Sequence, residues 1–101
     1  MTESQLRTFC LSLEGCHEEP HWEKTSFRVK SRILASYDAL TGIACLKLKP
    51  EQQDLFGLFD ATAVYPVPNA WGRKGYTNFV ISKVPDETLM DALRLAHANV
   101  K

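Results

Sequence analysis

The feature that most constrains the fold is a period of two in the side chains of residues 22–49. Three runs in this stretch alternate apolar and polar residues, and such alternation places one set of side chains on each face of a strand. The runs are separated by Lys30–Ser31 and by Asp38–Gly42, which are short enough for hairpin turns. The sequence therefore predicts an antiparallel meander of three strands. The residues of its apolar parity are Thr25, Phe27 and Val29, then Ile33, Ala35 and Tyr37, then Ala44, Leu46 and Leu48.

Three other segments have the spacing of helices. The first is predicted to begin after Thr2, which fits a capping box with Gln5, and to end near Gly15. Pro50–Phe59 is predicted as a short helix, because proline suits a first helical turn. Pro85 marks the start of the last helix. The apolar stripes of the first and last helices are Leu6, Phe9, Cys10 and Leu13, and Leu89, Leu93, Ala96 and Val100.

Two further strands, Ala63–Val67 and Tyr76–Ile81, are predicted on either side of an aromatic loop. Pro66 and Pro68 restrict the first of these strands to a sheet edge, because neither proline can donate to a ladder. The predicted order is α-β-β-β-α-β-β-α. This order implies an α+β fold with a mainly antiparallel sheet and helices on one face. The length predicts a single domain over residues 1–101.

Composition limits the classes of protein that the chain can represent. Hydrophobic residues make up 45% and charged residues 24% of the sequence, which is typical of a folded domain and not of a disordered chain. No apolar run approaches the length of a membrane span, and the N-terminus lacks a secretory pattern, so we expect a cytoplasmic protein without a membrane partner. An odd, sparse set of cysteines is not a disulfide framework. These cysteines are Cys10, Cys16 and Cys45.

The segment CHEEPH, residues 16–21, concentrates potential metal ligands. A structural zinc site needs four ligands, usually in paired short spacings, and the sequence offers no second pair. We interpret the segment as a polar loop, with a weak surface site for a divalent metal as the alternative. Cys16 with His17 or His21 is the only local arrangement for nucleophilic catalysis, and adjacent residues of an extended chain point apart. Because hydrolase, phosphate-loop and metalloprotease motifs are also missing, we predict no catalytic residue, no metal and no cofactor, and thus no enzyme.

The net charge is zero, yet the charges are segregated along the chain. Residues 1–23 are mainly acidic, whereas residues 24–49 and 61–85 are mainly basic. Cations of neighbouring strands could form one exposed patch suited to neutralising phosphates. The alternative is a solvated face that only keeps the sheet from aggregating. The candidate nucleic-acid-binding residues are Lys24, Arg28, Lys30, Arg32, Lys47, Lys49, Arg73 and Lys74.

The loop YPVPNAWGRKGYTNF, residues 65–79, is a second candidate site. Glycines flank Arg73 and Lys74, so the backbone can turn sharply there and expose both charges. The aromatic side chains of the loop are either core plugs or stacking platforms for bases. We predict that Trp71 is buried and pins the loop. The residues of a possible ligand groove are Tyr65, Asn69, Trp71 and Tyr76.

The chain resembles the MmcQ/YjbR family over nearly its whole length. The most specific part of the resemblance is the pattern YPVPN-x-WG-x-x-G-[YW], which residues 65–76 satisfy. The resemblance implies a bacterial protein with a fold related to CyaY/frataxin-like domains and a DNA-binding role through a double-wing motif. The wings would be the hairpin around Lys30–Ser31 or Asp38–Gly42 and the loop Asn69–Gly75. The segments that carry the resemblance are CLSLEGCHEEPHWEKTSFRVKSRILASYD, ACLKLKPEQQDLF, YPVPNAWGRKGYTNF and ISKVPDETLMDALRLAHANV.

Two functions are therefore predicted. The first is a DNA-binding protein that contacts phosphates non-specifically through the eight candidate cations. The second is a protein-interaction or small-ligand module that uses the groove beside the loop. The kinship with frataxin-like domains also suggests iron binding by an acidic first helix, but Glu3 and Glu14 lie near the ends of that helix with Arg7 between them, which makes a poor acidic ridge.

Overall fold

The computed structural model describes residues 1–58 and 60–101. Six strands form one sheet in the order β1-β2-β3-β4-β6-β5, and all neighbouring pairs are antiparallel. The predicted α+β class and the predicted sequence of elements are confirmed, with one strand and one short helix added. The elements are α1 (Glu3–Ser12), β1 (Cys16–His21), β2 (Lys24–Val29), β3 (Arg32–Asp38), β4 (Ile43–Lys47), α2 (Pro50–Gly57), β5 (Val64–Pro66), α3 (Ala70–Arg73), β6 (Tyr76–Val80) and α4 (Asp86–Val100).

The added strand is the segment CHEEPH, so its interpretation as a loop is wrong. The segment forms β1 and pairs with β2 from Cys16 opposite Val29 to His21 opposite Lys24. An edge strand has one ladder partner and a wet outer side, so it can form without the apolar alternation that marks the inner strands. The other edge is β5, as predicted from Pro66 and from Pro68 just beyond the strand. The helix α2 ends at Gly57, and the predicted last residue, Phe59, lies outside the described residues.

Helices α1, α2 and α4 pack on one face of the sheet. Helix α4 lies across β3 and β4, α1 contacts β1, and α2 contacts β5 and β6. The ring of Phe56 in α2 meets the ring of Phe79 edge-on at 5.8 Å between centroids. The core between these helices and the sheet is continuous and apolar, as a helix-on-sheet layer requires. Its largest fully buried side chains are Phe27, Phe79, Leu6, Leu34, Leu46, Leu48, Leu89 and Leu93.

The opposite face, which we call the outer face, carries the other parity of side chains. Pairing in register places one row of polar residues across five strands of this face. The row consists of Ser26, Ser36, Cys45, Asn78 and Tyr65. Sequence alone shows these residues only as the polar half of each run, and the register makes them neighbours.

A bidentate ion pair joins α1 to β1. The Arg7 guanidinium donates to both carboxylate oxygens of Glu18 at 2.8 and 3.1 Å and to Glu3 at 3.1 Å. The Thr25 hydroxyl donates to Glu18 as well, at 2.7 Å. These hydrogen bonds, that from Arg7 above all, hold the pKa of Glu18 below its usual value. Arg7 therefore holds both Glu3 and Glu18 in place where α1 meets β1.

The ion pair gives an expected pH dependence. Because the folded-state pKa of Glu18 is depressed, its contribution to stability is present above the unfolded pKa of about 4.3 and is lost as the pH falls through the folded value. We expect Glu18→Gln to flatten the acid limb of stability plotted against pH. Urea unfolding at several pH values measures this limb. The control is Glu14→Gln, an exposed position beyond α1, and an unchanged acid limb in Glu18→Gln would contradict the expectation.

Candidate nucleic-acid interface

The outer face contains a groove made of two adjoining hollows of about 600 and 440 Å³. Both hollows are lined by His21, Ser36, Cys45 and Val67, so they form one continuous depression. Trp22 borders the first hollow, and the second is completed by residues of α3 and the neighbouring strands. The β1–β2 hairpin thus forms one wall and the β5–β6 connection forms the other. The additional residues of the second hollow are Ile33, Leu34, Lys47, Trp71 and Tyr76.

Three of the eight predicted cations share the outer face. Lys24 and Arg28 have the parity of Ser26 on β2, and Lys47 has the parity of Cys45 on β4. Strands β2 and β4 are both antiparallel to β3, so they run in the same direction, and Arg28 and Lys47 lie toward the same end of the sheet. Two strand spacings, about 10 Å, separate these two strands. These three cations therefore lie on one face of the sheet, as the charge pattern of the sequence predicts.

The other five cations lie around this face or away from it. Lys30 is the first residue of the β2–β3 turn, and Arg73 and Lys74 are exposed at the end of α3. Both segments lie at the sheet end to which Arg28 and Lys47 point, because β6 begins opposite the end of β4. Two positions do not join the outer face. They are Arg32, which pairs with the core residue Val29, and Lys49, which precedes α2.

The ion pairs of the described residues leave out the candidate cations. Across residues 1–58 and 60–101 the ion pairs use Arg7, Arg94, His17 and the terminal amine, and none involves any of the eight cations. The Arg28 guanidinium donates to the Ser26 hydroxyl at 2.9 Å, which orients it on the outer face. The nearby Glu19 carboxylate is hydrogen-bonded to His17, and this bond lowers its pKa, with a smaller contribution from the charge of Arg28. The outer face therefore carries the cations Lys24, Arg28 and Lys47 together with the carboxylates of Glu19 and Asp38, and Glu23 borders the groove beside Lys24.

Trp71 is exposed, which corrects the predicted burial. Its side chain is 55% exposed and meets Tyr76 edge-on at 5.4 Å between ring centroids. The cause is α3, in which Gly72, not Trp71, takes the inward position against the carbonyl of Val67. The ammonium of Lys74 lies 4.6 Å from the centre of the Trp71 ring. Lysine and indole are thus held together by a cation–π contact at the groove wall.

The predicted groove residues divide into two pairs. Trp71 and Tyr76 line the groove, and the Lys47 ammonium lies 4.4 Å from the centre of the Tyr76 ring. Tyr65 lies on the edge strand and borders a different hollow beside α2. The Asn69 side chain accepts a hydrogen bond from the Trp71 amide and caps α3, so its role is structural.

Sequence reasoning missed the opposite wall of the groove. Trp22 is 92% exposed at the tip of the β1–β2 hairpin, and its φ of 61° lies in the left-handed region. Neighbouring His21 meets its ring edge-on. The floor residues Cys45 and Asn78 were missed too, because their proximity to this hairpin depends on β1, which the sequence did not reveal. A tryptophan at the junction of two polar runs was the one signal available.

The β5–β6 connection is held in place by hydrogen bonds from α2 and by close backbone packing. The Gln53 amide of α2 donates to the carbonyls of Gly72 and Tyr76 and to the Thr77 hydroxyl at 3.0, 3.2 and 3.0 Å. Gly75 adopts a φ of 108° and passes so close to Leu48 that a Cβ would lie 2.0 Å from its carbonyl oxygen. These contacts fix the position of Trp71 and Lys74 before any ligand arrives, which reduces the entropy lost on binding.

The side chains of the groove are better suited to binding a ligand than to nucleophilic catalysis. Burial raises the pKa of the Cys45 thiol, and the charge of Lys24 opposes this only in part, so the thiol is a poor nucleophile at neutral pH. In β1 the possible ligands alternate between the two faces, with His17, Glu19 and His21 on the outer side. In the described ranges no three His, Cys, Asp or Glu side chains are grouped to hold a metal ion. No helix within the same ranges is long and apolar enough to cross a membrane.

Comparison with known proteins identifies a shared fold. No family model matches the chain, and no curated protein sequence matches it. The chain is similar to the crystal structure of Deinococcus radiodurans protein DR2400, which has a DUF419 domain, with a TM-score of 0.79 and 24% sequence identity. The match covers 95% of this chain and 75% of that one. DUF419 is the YjbR/MmcQ-like family, so the chain shares the fold of one protein of that family, and both membership of the family and the relation to CyaY/frataxin-like domains stay predictions. The chain has the fold of a DUF419 protein.

Proposed function

We propose that the chain binds nucleic acid through the outer face, with phosphates contacting Lys24, Arg28 and Lys47. The observation that carries this proposal is the grouping of three cations, none of them in an ion pair in the described ranges, on the sheet face that the helices leave uncovered. Lys30 and Lys74 add two exposed cations at the end of the sheet toward which Arg28 and Lys47 lie. The role is one of binding without catalysis.

The expected affinity follows from the number of phosphates neutralised. Each phosphate contact contributes about −0.9 to the slope of log K against log salt on duplex DNA, so three contacts give roughly −2.7. Affinity should then fall about 40-fold between roughly 50 and 200 mM salt. The zero net charge of the chain means that long-range attraction is weak and that binding depends on this local grouping.

The test is a salt titration of labelled duplex and single-stranded DNA. We expect the triple variant Lys24→Ala, Arg28→Ala, Lys47→Ala to weaken binding strongly at low salt and to bring the slope close to zero, because these residues release the counterions. The matched control is the triple variant Lys83→Ala, Arg94→Ala, Lys101→Ala. It removes the same charge from the β6–α4 connection, from α4 and from the residue after it.

The two triple variants separate a local effect from a global one. Equal losses in both would show that only net charge matters, and would contradict a binding surface on the outer face. An unchanged slope in the Lys24, Arg28 and Lys47 variant would contradict it as well. Circular dichroism of both variants checks that the fold is retained.

The groove also favours a second candidate, a small-ligand site. Its hollow beside Trp71 measures about 440 Å³ and is bordered mainly by apolar side chains, within the range of roughly 300–1,000 Å³ found for ligand pockets. A neutral aromatic ligand in this hollow would bind with little dependence on salt, since it releases no counterions. Titration of such a ligand at two ionic strengths distinguishes this function from phosphate binding.

A further inference from the structure

We infer that the outer-face groove holds the unstacked bases of a single-stranded nucleic acid, with Trp22 as a stacking platform. The inference deepens the proposed function and rests on it, because it names the form of nucleic acid that the same face selects. Its basis is the placement of exposed aromatic rings, polar floor groups and cations around one depression.

Trp22 places a large and almost fully exposed ring on a hairpin turn. His21 pairs with Lys24, so Trp22 and Glu23 form a two-residue turn, and Trp22 holds its first position at a φ of 61°. Glycine is favoured in this backbone region, where a side chain costs about 1–2 kcal/mol. The indole is 92% exposed and so gains almost no burial in return. Lys30, the first residue of the next two-residue turn, adopts a similar φ of 57°, so the exposed aromatic ring, and not the backbone, distinguishes Trp22 and indicates a surface adapted for contact.

The groove offers hydrogen-bonding groups and aromatic faces that an unpaired base can use and that a paired base cannot reach. Its floor offers the Ser36 hydroxyl and the Asn78 amide, which can donate to and accept from a base edge. The aromatic walls offer π-faces, on which bases stack with little sequence preference. In a duplex the faces of the bases are already stacked on one another and their edges are paired. The interior of the protein groove, which is only a few strands wide, is therefore accessible to unpaired bases alone.

The cations lie where a backbone leaving the groove would run. Lys24 follows the Trp22 turn and borders the same hollow, and Lys47 borders the other hollow beside Tyr76. A path between them follows the row of Ser36, Cys45 and Asn78 across the sheet. Phosphates on either side of an inserted base would therefore meet one ammonium at each end, which is the combination of stacking and charge found in single-strand binding surfaces.

The two tryptophans of the sequence allow each wall to be observed separately. In the variant Trp71→Phe, Trp22 is the sole tryptophan. We expect a thymidine oligonucleotide of about ten nucleotides, within the roughly 4–16 nucleotides that one small domain covers, to quench its fluorescence. We also expect this oligonucleotide to bind more tightly than a duplex of equal length. A uridine oligonucleotide run in parallel distinguishes RNA from DNA, and quenching by either supports the inference.

Substitution of Trp22 tests stacking directly. We expect Trp22→Ala to weaken single-strand binding by roughly 5- to 100-fold and to leave the salt slope unchanged, since no phosphate contact is removed. Trp22→Phe should restore most of the affinity because it keeps a π-face. The matched control is Leu40→Ala, which removes a 90% exposed apolar side chain from the β3–β4 turn and should leave binding unchanged.

The outcomes separate this inference from the proposed function. Salt-dependent binding that is equal for duplex and single strand, or that is insensitive to Trp22→Ala, overturns the single-strand inference and leaves the phosphate surface intact. Absence of binding to either form at low salt overturns both.

Discussion

Replacing Gly75 with alanine is expected to destabilise the protein by about 2–4 kcal/mol, as measured by urea unfolding. Two effects combine at this residue. Its φ of 108° disfavours any side chain, and the new Cβ would lie 2.0 Å from the Leu48 carbonyl oxygen, a backbone atom that cannot rotate away. The connection that carries Trp71 and Lys74 must therefore shift. We expect nucleic-acid affinity to fall together with stability.

The control for this prediction is Gly42→Ala. Gly42 also has a positive φ, 73°, but no atom lies within 4 Å of the position that its Cβ would take. Only the conformational cost of about 1–2 kcal/mol applies there. The difference between the two variants isolates the close approach of the backbone. Equal destabilisation by both would show that the approach to Leu48 contributes little.

Replacing Phe79 with alanine is expected to have the largest effect on stability, about 3–5 kcal/mol. Phe79 is fully buried on β6 and packs edge-on against Phe56, so its removal takes away the transfer energy of the ring and leaves a cavity between the sheet and α2. A loss of this size approaches the total stability of many domains of this length. Thermal unfolding followed by circular dichroism measures the change.

The matched control is Phe9→Ala on α1. The Phe9 ring is only partly buried and faces the Arg94 guanidinium, 5.3 Å from its centre, so we expect a smaller loss of stability. An effect of Phe79→Ala no larger than that of Phe9→Ala would contradict the position assigned to β6 in the core.

The inner strands and the long helices could be predicted because each has one buried face, and a buried face requires apolar residues at a regular spacing along the sequence. Phe27, Ala35 and Leu46 follow the period of two expected for strands with one buried face, and all three are buried in the core. The strand β1 gave no such pattern. At the edge of the sheet its pairing with β2 is made by backbone groups, which every sequence possesses.

The cations of the candidate site could be predicted from the sequence, whereas the shape of the groove could not. Lys24, Arg28 and Lys47 could be assigned to one parity of their strands from the sequence, and the register of the sheet confirms that they share a face. The orientation of Trp71 could not be predicted, because it depends on the close approach of Gly72 to Val67, two residues in a connection without a period.

The sequence by itself determined which cations share a parity and most of the residues that face the core, since local periodicity fixes the direction of each side chain along a regular strand. Its assignment of Ile33 to the core parity is wrong, because a register shift opposite Phe27 and Arg28 leaves Ile33 half-buried beside the groove and Leu34 fully buried. Only the tertiary structure decided that Trp22 and Trp71 stand on opposite walls of one groove, with Cys45 and Asn78 between them. These residues are far apart in the chain and are brought together by strand order and register. Those properties are set by packing and backbone pairing over the whole sheet.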